Sequence, residues 1–68
     1  MKLKLDNDFV DNETMMRHHR DRLLAESDWT QVADAPVDQQ AWATYRQALR
    51  DFPATWTAGP TADFPDTP

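Results

Sequence analysis

At 68 residues the chain has room for one domain, near the size at which a hydrophobic core only just offsets the entropy of folding. Twelve acidic against seven basic residues give a net charge of -5, so phosphate backbones are repelled and nucleic acid is not an expected partner. There is no cysteine to form a disulfide framework or a thiolate metal site.

Apolar runs are only two or three residues long, and Met1 is followed by Lys-Leu-Lys-Leu-Asp without an apolar signal region. That pattern argues against a membrane span and a secretory signal, so the expectation is a soluble chain, intracellular where it is made. From Met1 to Leu5 apolar and charged side chains alternate, with Leu3 and Leu5 on one side and Lys2 and Lys4 on the other. This is the pattern of a short edge strand, which is not stable alone. Three outcomes are open: pairing with a second copy, pairing with a C-terminal segment, or no pairing.

A polar, acidic stretch around Phe9 and Val10 follows, and Asp11 or Asn12 can cap a helix whose first turn holds Glu13. The first helix is predicted from about 12 to 27, because Met15, Met16, His19, Leu23 and Leu24 recur at helical spacing without Pro or Gly. On its polar side Glu13 and Arg17, Arg17 and Asp21, and Arg22 and Glu26 are opposite charges one turn apart. The connection runs from Asp28 through Trp29 to Pro36, where the residue before proline is pushed toward extended backbone.

Asp38 is a good N-cap for a second helix, with Val37 placed to staple onto Trp42. That helix is predicted from about 38 to 52, with Trp42, Tyr45, Leu49 and Phe52 on one stripe and Pro53 ending it. The fold class expected is all-α, a helical hairpin with Trp42 anchoring the pair. A small helical domain then spans 1–53. Residues 54–68 carry Pro60, Pro65, Pro68 and the one glycine, Gly59, and are expected to form an extended tail contributing little to the hairpin.

His18 and His19 point about 100° apart on a helix, and only Asp21 stands at a ligand spacing from His18, so no metal site is expected. Asp6, Asp8 and Asp11 resemble a calcium loop in composition alone, since neither the turn glycine nor the closing glutamate follows. One glycine cannot make a phosphate loop, and no activated nucleophile is visible, so neither catalysis nor a cofactor is expected. What remains is aromatic: Trp29 in the connection, Trp42 and Tyr45 on the stripe, and Trp56 and Phe64 in the tail. These five are the candidate partner-binding residues, because large aromatics outside the periodic segments either seal a small core or anchor an interface.

The blocks RDRLLAESDWTQ (20–31) and WATYRQALRD (42–51), with Pro53 after them and FPDTP at the end, resemble the small phage tail assembly chaperone family. The resemblance spans about residues 17 to 53. It implies a non-enzymatic role in tail or tail fibre assembly, a tail or tail fibre protein as partner, and action in the cytoplasm of a bacterial host. Homo-oligomerisation is compatible with it. The alternative is a small acidic regulator, encoded by a phage, that binds a host protein through the same helices.

Overall fold

A computed structural model describes residues 1–5 and 9–68 of the chain. The acidic reading of Asp6 and Asp8 therefore lies outside the described residues. Along the rest, the elements are β1 (Lys2–Lys4), α1 (Asn12–Ser27), a short 3-10 turn (Asp28–Gln31), α2 (Gln39–Thr55) and β2 (Thr61–Asp63).

Both helices begin where side-chain capping dictates. The Asp11 carboxylate accepts from the Thr14 N–H at 2.7 Å, and the Asp38 carboxylate accepts from the Ala41 N–H at 3.1 Å. Each cap satisfies an N–H that the first helical turn leaves without a partner. Two of the expected ion pairs form on α1, Glu13 with Arg17 at 3.1 Å and Arg22 with Glu26 at 3.4 Å, while Asp21 pairs with its neighbour Arg20. The two i,i+4 pairs are exposed and contribute little.

Pro53 does not end α2, contrary to the sequence expectation, and the helix continues to Thr55. Proline removes one N–H, the donor that would bond to the Leu49 carbonyl, yet the next turn still closes through the Trp56 N–H to the Phe52 carbonyl at 3.0 Å. Phe52 and Trp56 both pack on the core, which holds this extra turn against the proline penalty.

The all-α expectation needs a second correction. β1 and β2 pair antiparallel in a two-stranded sheet, with Lys2 opposite Asp63, Leu3 opposite Ala62 and Lys4 opposite Thr61. Of the outcomes left open for the N-terminal strand, pairing with the C-terminal segment is the one found. The ladder is extended by the Leu5 N–H to the Pro60 carbonyl at 2.8 Å and the Phe64 N–H to the Met1 carbonyl at 2.7 Å. Alternation then puts Leu3 and Leu5 of one segment and Ala62 and Phe64 of the other on the face toward the helices, leaving both lysines outside. A two-stranded sheet gains its stability from such a packed face.

The core joins both helices and both strands: Leu5, Met16, Leu23, Tyr45, Leu49, Ala62 and Phe64 are buried, with Leu3, Met15, Leu24, Trp42, Phe52 and Trp56 packed partly buried around them. The fold is thus a hairpin-like pair of helices sealed at one end by the sheet. Phe64 is the most deeply buried aromatic, at 2% exposure, whereas Trp42 is only half-buried.

Candidate functional site

The five aromatics chosen from the sequence separate into two groups at opposite ends of α2. At the C-terminal end the Phe52 and Phe64 rings lie 4.6 Å apart, and the Trp56 indole N–H donates to the Thr61 carbonyl at 3.1 Å. Phe64, expected among the partner-binding residues, is here part of the core. Its segment folds back because the sheet supplies partners for the backbone that would otherwise be buried unpaired. Trp56 has its polar edge satisfied by the same segment and closes over the core.

At the N-terminal end the aromatics form a ladder toward solvent. The Trp42 ring meets Tyr45 edge-on at 5.5 Å and Trp29 at 6.4 Å, arrangements favourable for aromatic pairs. Exposure rises along it: Tyr45 is buried, Trp42 half-buried, and Trp29 is 51% exposed. Val32, three residues on, is 52% exposed and extends the apolar surface. On the far side of Tyr45 an open groove of about 400 Å³ runs between Ala41, Thr44, Tyr45 and Ala48 of α2 and Pro65, Asp66 and Pro68 of the tail. Burial raises the Tyr45 phenol above its ordinary pKa; Glu26 acts in the same direction and Arg22, its ion-pair partner, against it. The ring is therefore neutral across the physiological range.

Trp29 is exposed but not loosely held. Arg46, 7% exposed, reaches from α2 to the end of α1 and donates to the Leu24 carbonyl and to Ser27 Oγ, each at 2.7 Å, and to the Asp28 carboxylate at 2.6 Å. Ser27 Oγ in turn donates to the Leu23 carbonyl at 2.9 Å, and the buried Thr30 hydroxyl donates to the Ser27 carbonyl at 2.6 Å. The Gln39 amide donates to the carbonyls of Thr30 and Val32, tying the first turn of α2 to the same segment. These bonds fix the residues on both sides of Trp29, so its indole is presented on rigid backbone.

Sequence patterning does not single out this polar joint, although a signal for it is present. Arg46 stands four residues after Trp42 and three before Leu49, which puts a cation on the apolar face of α2. A buried guanidinium needs several acceptors, and the unpaired carbonyls at the end of α1 are where a two-helix fold offers them.

Burial, then Arg22 and His18, lower the His19 pKa, favouring the uncharged ring. Among the described residues no three acidic or histidine side chains gather where they could hold a metal ion, and no helix is long and apolar enough to cross a membrane.

Compared with known proteins, residues 13–68 match the family model of the phage tail assembly chaperone protein. The chain belongs to the phage tail assembly chaperone family. The match begins in the first turn of α1 and runs through β2 to the last residue, so it includes the helix joint, the ladder and the segment that carries Phe64. No curated protein and no solved structure is significantly similar to the chain. Membership of an assembly chaperone family indicates a binding role toward a phage tail protein and suggests that the role is not enzymatic.

Proposed function

We propose that the chain binds a tail protein, specifically a tail fibre protein, through the Trp29–Trp42–Tyr45 ladder and covers an aggregation-prone surface of that client until the tail assembles. The observation that supports this most directly is a half-exposed tryptophan on backbone held by a buried arginine network. A residue needed only for folding has no reason to be both fixed and open, whereas an interface anchor needs both properties. The groove beside Tyr45 gives the same surface a concave neighbour for a further client side chain. In this reading the role is binding without chemistry, in the cytoplasm of the bacterial host where tail proteins are made. Family membership favours it over a regulator aimed at a host protein.

The test is co-expression with the tail fibre protein of the same phage. The expected outcome is that the chain keeps the fibre protein soluble and co-purifies with it, and that Trp29→Ala loses both effects while remaining folded. Unchanged fibre solubility in the presence of the wild-type chain would refute the proposal.

A further inference from the structure

The charges around Trp29 are one-sided. From Leu23 to Tyr45 the chain contains no lysine or arginine but carries Glu26, Asp28, Asp34 and Asp38, and from Asp51 to Pro68 it again carries only acids. Glu26 and Asp28 are neutralised by Arg22 and Arg46. Asp34 and Asp38 have no ion-pair partner among the described residues.

Both of these acids are exposed and follow Trp29 and Val32 closely in the chain, and the Asp38 carboxylate also accepts from the Ala41 N–H. Asp34 sits within the turn closed by the Ala35 N–H to the Val32 carbonyl at 3.1 Å. Asp38 precedes Gln39, whose side chain bonds to the carbonyls of Thr30 and Val32. The dipole of α2 offsets part of the Asp38 charge, which leaves Asp34 the stronger of the two. Of the chain's seven lysines and arginines, Lys2 and Lys4 are on the sheet and Arg17 and Arg20 on α1 before Arg22. Arg46 is buried, and Arg50 lies on the side of α2 opposite the groove residues by helical geometry.

We infer that the Trp29–Val32 face takes a basic, aliphatic-flanked segment of the client, with a lysine or arginine over the open Trp29 ring and its charge answered by Asp34 and Asp38. This inference rests on the binding role proposed above and adds the chemistry of what is bound. One side of the Trp29 indole is engaged by Trp42, and the exposed remainder is a surface on which a cation gains both from the ring quadrupole and from the acidic rim. An acidic segment is repelled by the same rim, so the arrangement selects by charge as well as by shape.

The experiment uses three synthetic peptides of equal length and equal aliphatic content, with lysine and arginine, serine, or glutamate at the polar positions. Each is titrated into the full chain while the Trp29 indole N–H is followed by NMR. The expected result is that the basic peptide moves that signal and binds about tenfold tighter than the serine peptide at low salt, the preference shrinking as salt screens it. D34N/D38N should weaken the basic peptide about fivefold without unfolding the chain, because asparagine caps a helix as well as aspartate does. Should the double variant unfold, Asp34→Asn alone carries the same comparison. Equal binding of the serine or glutamate peptide, or no basic binding, overturns the inference. So does a Trp29 signal that moves with the chain's own concentration in the absence of peptide, which assigns the face to a second copy. If Trp29→Ala abolishes fibre rescue in co-expression but basic peptides show no preference, the binding role stands and only the charge selection falls.

Discussion

The two ends of α2 carry similar aromatic side chains and use them in opposite ways. Around Phe52 the sheet folds over the rings, Phe64 is buried and the Trp56 indole is bonded to the segment that covers it. Around Trp42 no strand among the described residues covers the ring in this way, and Trp29 continues the stack into solvent. The difference shows that aromatic content alone does not separate a buried ring from an exposed one. What separates them is whether a backbone segment with its own hydrogen-bond partners is available to cover the ring.

If the closed end is the structural one, the largest loss follows from opening it. Phe64→Ala should cost about 3–5 kcal/mol, a large share of the roughly 3–10 kcal/mol expected of a chain this long, and chemical denaturation will show whether a folded population remains. Truncation after Pro53 makes the same point without a substitution. The tail read from the sequence is dispensable for the hairpin, whereas Ala62 and Phe64 in the core predict loss of the helical circular dichroism. A truncated chain with native helicity would contradict this account of the closed end.

An intermediate loss is expected at the joint between the ends. Arg46→Met removes the donor shared by Leu24 and Ser27 and should destabilise by about 1–3 kcal/mol, since its Asp28 contact is largely solvated and adds little. Arg46→Lys should recover only part of this, because one ammonium cannot reproduce the planar fork that reaches three acceptors. The same variants sharpen the comparison if the Trp29 indole resonance broadens while the Phe64 resonances do not.

At the open end Trp29→Ala should change stability by about 1 kcal/mol or less while abolishing client rescue. That split between stability and binding is the reverse of the one expected at Phe64.

The smallest effect concerns a site belonging to neither end. Hydrogen bonding from Thr14, from its backbone N–H first and then its side chain, holds the Asp11 carboxyl below its ordinary pKa. Its ionised form is thus favoured by folding, and the contribution is present at neutral pH and lost as pH falls below about 4. Asp11→Asn keeps a capping side chain and should flatten the acid limb of the stability curve, measurable by thermal melts from neutral to acidic pH.

Local chemistry makes the helices legible in the sequence. Asp11 and Asp38 are caps whose effect reaches only three residues along the chain, and the spacing of Met16 and Leu23 or of Tyr45 and Leu49 marks a buried helical face. The end of α2 is not legible in the same way, because the penalty at Pro53 is local, while the packing of Phe52 and Trp56 that outweighs it comes from a distant strand.

By itself the sequence determined the two helices, their caps, the absence of thiol chemistry, the family and a short list of aromatics able either to seal a core or to anchor an interface. Only the tertiary structure decided which of those aromatics remain open. The pairing of Leu3 with Ala62 joins residues near opposite ends of the chain, and the alternation at Leu3 and Leu5 marks a strand without specifying its partner. The burial of Arg46 likewise depends on carbonyls at the end of another helix. Periodicity records what one element hides, whereas exposure is set by what the other elements bring to cover it.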